Sequence, residues 1–168
     1  MKLLATLNPE NVTQEEMASF PAREAFRAVV FDEEDNIALL FVSQGNYFKL
    51  PGGGKEKGES TDAVLKRECQ EEIGCDISVI AQLGKIVEYR KFCTLQQTSY
   101  CYVAKTIGSK GLPHFTPEEV ADGLTTLWLP YSEATKLIAK NEATNLEGRE
   151  YIVPRDIIFL EAAKQFVE

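Results

Sequence analysis

Six acidic side chains fall within GGKEKGESTDAVLKRECQEEIGC, the stretch from Gly53 to Cys75, and three of them are Glu68, Glu71 and Glu72. At about 100° per helical residue these three carboxylates share an arc of roughly 100°. Like charges this close oppose one another, so the cluster calls either for a solvated face or for a cation that the carboxylates hold. Arg67 stands beside the cluster, one turn before Glu71, and a glycine-rich run leads into it, where backbone carbonyls can approach an ion. The chemistry on offer is the mounting of a hard divalent cation, which prefers such oxygen ligands.

For that face to exist, residues 61–73 must be helical. Ser60 and Thr61 can cap the helix, Asp62 suits its positive end, and Gly74 can take the left-handed conformation that closes it. Leu65, Cys69 and Ile73, each four apart, form the adjacent apolar stripe, which sets the carboxylates at the margin of the core. Upstream, AFRAVVFD and NIALLFV read as a strand, a tight turn and a returning strand, and YFKLP as a third strand ended by Pro51 and the glycines. Downstream, DISVIAQLGKIVEYRKFC and TSYCYVAKTI read as longer strands and LTTLWL as a shorter one, with helices over 132–140 and 155–167. Strands and helices interleave without strict alternation, which predicts an α/β fold with a mixed sheet covered by helices. Residues 1–22 read as an N-terminal extension, in which Thr13 to Glu16 match a capping box, and 23–168 as the single domain.

Composition agrees with one folded domain: 168 residues, 44% hydrophobic and 26% charged, with no low-complexity run. The net charge of -8 opposes non-specific attraction to nucleic acid or to an anionic membrane, and leaves small-molecule partners. No segment reads as a signal peptide or a membrane span, so a cytoplasmic location is the expectation. Cys69, Cys75, Cys93 and Cys101 have no metal-ligand spacing and are expected to be reduced, with Cys93 to Cys101 as the one pairing a reversed chain would allow.

The run from Gly53 through Glu59 to Arg67-Glu68-Cys69-Gln70-Glu71-Glu72-Ile73-Gly74-Cys75 resembles the Nudix box. Every fixed identity of that pattern is present, at Gly53, Glu59, Arg67, Glu68, Glu71, Glu72 and Gly74, a match expected by chance on the order of once in a million such chains. Cys69 and Cys75 stand where the family usually has bulky aliphatic residues, and as small hydrophobes they are expected in the core. The resemblance implies an α/β/α sandwich with a mixed, partly antiparallel sheet and a catalytic loop-helix. It also implies hydrolysis of a pyrophosphate bond in a nucleoside diphosphate-linked substrate, a nucleoside triphosphate or oxidised nucleotide among them, with Mg²⁺ or Mn²⁺ as cofactor. Glu68, Glu71, Glu72 and the Gly53 carbonyl would hold the metal and Glu68 would be the general base. Arg67 would orient a glutamate, and Glu59 would support it from the loop. In this family the base can instead come from a later loop, where Glu118 and Glu119 are the candidates. Thr116-Pro117-Glu118-Glu119 also fits a capping box, which gives Glu119 a structural role and leaves Glu118 the freer carboxylate.

Lys49 sits near the phosphates if its side chain faces the helix, and in solvent otherwise. Arg27, Arg90 and Arg149 are further candidates for substrate contact. Tyr47, Phe48, Tyr89 and Tyr100 could stack on a base or fill the core, Trp128 reads as structural, and His114 as an exposed loop residue. Arg90 stands where ADP-ribose hydrolases of the family carry a proline, so that subclass is not supported. The rival readings are a nucleotide-sensing or partner-binding module without turnover, and an isomerase of the same fold, which the complete box disfavours. Relatives of this type often form homodimers, and residues 1–22 could cover a neighbour's site.

Overall fold

The β-branched and aromatic runs pair into one mixed sheet in the computed structural model, which describes residues 1–167. Its strands are β1 (Leu3–Leu7), β2 (Ala22–Phe31), β3 (Asn36–Val42), β4 (Tyr47–Lys49), β5 (Asp76–Arg90), β6 (Leu95–Ile107) and β7 (Leu124–Pro130). The order is β1-β5-β6-β2-β3-β4, with β7 also paired to β3. β1 with β5 and β2 with β6 run parallel, while β5 with β6, and β3 with both β4 and β7, run antiparallel. Helices α1 (Gln14–Ser19), α2 (Thr61–Ile73), α3 (Pro117–Ala121), α4 (Tyr131–Ala139) and α5 (Val153–Ala163) connect and cover these strands. The predicted α/β fold with a mixed, partly antiparallel sheet is the observed one.

β2 is the central strand, and every residue from Ala25 to Phe31 is buried, as expected of a strand covered on both faces. Its expected hairpin with β3 is reduced to a single paired position, Phe31 opposite Ile37. The turn itself is tight: the Asp32 carboxylate accepts from the N–H of Glu34 at 2.9 Å and of Asn36 at 2.8 Å, and Asp35 takes φ 60°. Past the turn the strands part, because β2 pairs over its whole length with β6 while β3 pairs with β7. The segment read as an extension supplies β1 at the sheet edge and α1, whose capping box between Thr13 and Glu16 is formed. A π-helical turn, Gly148–Ile152, leads into α5 and was not legible in the sequence. All four cysteines are free, with Cys69, Cys75 and Cys101 buried and Cys93 exposed.

Helix α2 spans the predicted residues. The Ser60 hydroxyl accepts from the Ala63 N–H at 3.2 Å, and Gly74 closes the helix at φ 64°. Val64, Leu65, Cys69 and Ile73 are buried, docking α2 on β2 and β5. That docking turns the carboxylate face toward the loop after β4.

Candidate active site

Two of the three clustered carboxylates lie inside the protein. Glu68 is 7% exposed and Glu72 1%, while Glu71 is half-buried. Lys49 Nζ sits 2.8 Å from Glu72 Oε1, so the Lys49 side chain faces the helix, and the Gly52 N–H donates to Glu72 Oε2. Arg67 ties the rest together. Its Nε and Nη2 donate to the two oxygens of Glu59 at 2.8 and 3.0 Å, and its Nη1 donates to Glu68 at 2.7 Å and Glu71 at 3.3 Å. Its Nη2 also reaches the Gly54 carbonyl at 3.2 Å. Such planar, paired contacts are what a guanidinium makes and an ammonium cannot.

The glycines let the loop come this close. A Cβ on Gly53 would meet the Glu68 carboxylate carbon at 2.5 Å, and Gly52, at φ 128°, would carry its Cβ into the backbone of Phe26 and Arg27. The Gly53 carbonyl accepts from the Phe26 N–H at 2.8 Å, which leaves its second lone pair free.

Charge follows from this packing. Bonding to Arg67, with help from the Glu56 N–H, holds Glu59 down to about 2. Burial pushes Glu68 and Glu72 above the ordinary carboxylate value of 4.5, against the pull of Arg67 on the one and Lys49 on the other. Among the described residues no three acidic side chains are preassembled as a metal-binding group, because Arg67 and Lys49 engage their oxygens. The donor set nonetheless fits a hard divalent cation: it is all oxygen, and its two buried carboxylates lack full compensation of charge.

These residues line a cleft of about 560 Å³, within the usual range for a small-molecule site. Of the candidates read from sequence, Arg27, Lys49, Gly53, Arg67, Glu68, Glu71, Glu72, Arg90 and Glu118 all line it, and Glu59 reaches it through Arg67. Glu119 also lines it and closes the α3 capping box with Thr116, whereas Glu118 is exposed. Arg149 is not among the lining residues; it pairs with Glu150 at the surface. Tyr47 lines the cleft, Phe48 packs on Phe41, Tyr100 stacks on Phe26, and His114 is exposed.

Arg27 and Arg90 belong to a buried polar group at the cleft wall whose other members the sequence did not point to. Arg155, fully buried on α5, donates from Nε to Asp156 at 2.6 Å, and Asp156 accepts from the Leu50 N–H at 2.8 Å. Glu88, also fully buried, accepts from Gln97 at 2.7 Å, Ser99 at 3.0 Å and Arg90 at 3.2 Å. Arg90 pairs further with Glu147. Burial opposes the charge of Arg155, but Asp156 and Glu88 outweigh it and hold its pKa up. Arg27 is pushed down to about 10, first by burial and then by the charge of Arg155. Only the presence of charged residues in an otherwise apolar helix hinted at this group.

The family model for the NUDIX domain matches residues 21–151. No curated protein is a significant match. Among solved structures, the Escherichia coli ORF135 protein is 19% identical, with a TM-score of 0.60 over 89% of this chain and 93% of that one. The MutT protein from Methanosarcina mazei Go1 is 16% identical, with a TM-score of 0.59 over 89% and 99%. An ADP-ribose pyrophosphatase from Streptococcus suis 89-1591 is 16% identical, with a TM-score of 0.54 over 84% and 92%. At these identities the likeness is one of fold. The family match spans most of the chain, including the complete glutamate-bearing loop and helix, and the chain therefore belongs to the NUDIX family.

Proposed function

We propose that this protein is a pyrophosphohydrolase that uses a divalent cation and water to cleave the anhydride bond of a nucleoside diphosphate-linked substrate. The observation that carries the reading is Glu68, buried in the cleft, fixed by Arg67 and closed against Gly53. Glu68, Glu71, Glu72 and the Gly53 carbonyl would hold Mg²⁺, or Mn²⁺ in its place, and the bound cation supplies positive charge against the diphosphate.

Glu68 takes the proton of the attacking water as the new P–O bond forms. The bridging P–O bond breaks, and its electron pair stays on the leaving phosphate oxygen. Arg67 holds Glu68 in one rotamer, and Glu59 fixes Arg67 in turn. Lys49 meets the charge of the phosphates, and Arg27 and Arg90, which line the same cleft, contact the substrate farther along it. Glu118, exposed at the start of α3, lines the same cleft and is the alternative base that the family pattern allows. The net charge of -8 supports a small-molecule substrate over nucleic acid, and nucleoside triphosphates with their oxidised forms head the panel to be tried.

The test is release of phosphorylated products with Mg²⁺ across nucleoside triphosphates, oxidised purine nucleotides, dinucleoside polyphosphates and nucleotide sugars. Glu68→Gln is expected to lower kcat by about 10²–10⁴. Full activity in that variant moves the base to Glu118. Metal-dependent binding without turnover on any compound supports a sensing module instead.

A further inference from the structure

The wall of the cleft holds more hydrogen-bond donors than the chain satisfies. Arg27 Nε, Arg90 Nε and both terminal nitrogens of Arg155 are buried and have no hydrogen-bond partner among the described residues, although Arg155 Nη1 lies 3.8 Å from Glu88 Oε1 as a longer ion pair. A buried donor left unpaired costs about 1–3 kcal/mol, so four on adjoining arginines need an explanation. All four are donors, and the two fully buried carboxylates nearby, Glu88 and Asp156, are already engaged by Gln97, Ser99 and Leu50 as well as by the arginines. What fits is a group offering only acceptors.

Glu147 identifies its chemistry. Its carboxylate bonds Arg90 Nη1, yet its side chain is 45% exposed, whereas that of Arg90 is 5% exposed. A buried guanidinium is thus paired with a carboxylate that can swing into solvent. The place of the group is also defined. Leu50 donates to Asp156 and Gly52 donates to Glu72, so the Arg155–Asp156 pair and the helix carboxylates bond the same short segment after β4, two residues and at most about 7 Å of chain apart.

We propose that Arg27, Arg90 and Arg155 form a second anion subsite, which takes a phosphate or carboxylate that the substrate carries beyond the hydrolysed anhydride. Glu147 occupies Arg90 internally until that group displaces it. This rests on the hydrolase reading for its substrate, and it narrows the substrate class to diphosphates bearing one more acidic group. Guanidinium forks suit both phosphate and carboxylate oxygens, which they bind in pairs.

The first arm is a titration of the full chain with inorganic phosphate in EDTA, followed through the arginine Nε–H resonances. The Arg27 and Arg90 signals are expected to shift; Glu147→Gln should tighten half-saturation by about ten-fold, and Arg90→Gln should weaken it by about as much. Thermal melts confirm that both variants fold, and Arg155→Lys, which keeps the charge but loses the fork, gives an intermediate weakening. Equal half-saturation in all four proteins, or no Nε–H shift, overturns the subsite.

The second arm separates the sources of the anion. With Mg²⁺, KM is compared for a nucleoside triphosphate against the diphosphate, and for a nucleotide sugar against its uronate. A KM raised by Arg90→Gln only for the triphosphate assigns the subsite to the polyphosphate chain, and only for the uronate to an appended acid. No change for either overturns the substrate assignment. Loss of hydrolysis throughout, with the phosphate response intact, removes the hydrolase reading and leaves the anion site. A flat phosphate titration beside Glu68-dependent hydrolysis does the reverse.

Discussion

Arg67 distributes one guanidinium over Glu59, Glu68, Glu71 and the Gly54 carbonyl, and two of these carboxylates, Glu59 and Glu68, are shifted in opposite directions. Glu59, whose folded value of about 2 lies below the ordinary 4.5, stabilises the fold above 4.5 and loses that contribution as pH falls toward 2. Glu68 and Glu72 have folded values above 4.5, so their ionisation costs stability at neutral pH, and the cost is relieved as pH falls through those raised values. In EDTA, the melting temperature is therefore expected to rise as pH is lowered from neutrality through the raised values of Glu68 and Glu72, and to fall again below 4.5 as the contribution of Glu59 is lost. Mg²⁺ should flatten the rise, because a cation compensates both buried carboxylates. Calorimetry in matched buffers with and without Mg²⁺ checks this, and a steady fall from neutral pH would contradict it.

Helix α2 was legible because its determinants are local: a capping serine, an apolar stripe at spacing four, and a glycine that ends it. Gly74 makes that end strict. It sits at φ 64°, and a Cβ there would come within 2.7 Å of Gly111 and Leu112 backbone atoms, where the loop before α3 crosses the helix terminus. Gly74→Ala is expected to cost about 2 kcal/mol or more in urea denaturation, from left-handed strain plus that contact. Gly58, at φ 88° with open space around it, should lose only the strain, about 1 kcal/mol. Equal losses at the two glycines would mean that the α2–loop contact contributes nothing. The β2–β3 pairing was read less well, since a turn specifies reversal of the chain but not how far the two strands stay together. Burial of β2 on both faces gave it to β6.

At the scale of the whole molecule, the first twenty residues reach the cleft wall from outside. Glu10 Oε2 lies 2.6 Å from the hydroxyl of buried Tyr151, over whose ring the Arg90 guanidinium sits at 5.4 Å. Leu4, Ala5 and Leu7 pack on the core, and β1 pairs with β5. Removing residues 1–10 is expected to cost about 2 kcal/mol, a drop in Tm of about 4–8 °C for a domain of this size. A thermal melt of the truncated chain measures it, and an unchanged Tm would make β1 dispensable. The sequence by itself determined the glutamate helix, its caps, the glycine loop before it and the α/β class, because each is written in spacings within a few turns or strands. Only the tertiary structure decided that Lys49 pairs with Glu72, that Arg27 and Arg90 meet Arg155 and Glu88 at one wall, and that Arg149 stays outside. Those meetings join residues as many as 128 positions apart, and they depend on strand order and helix docking, which no local spacing records.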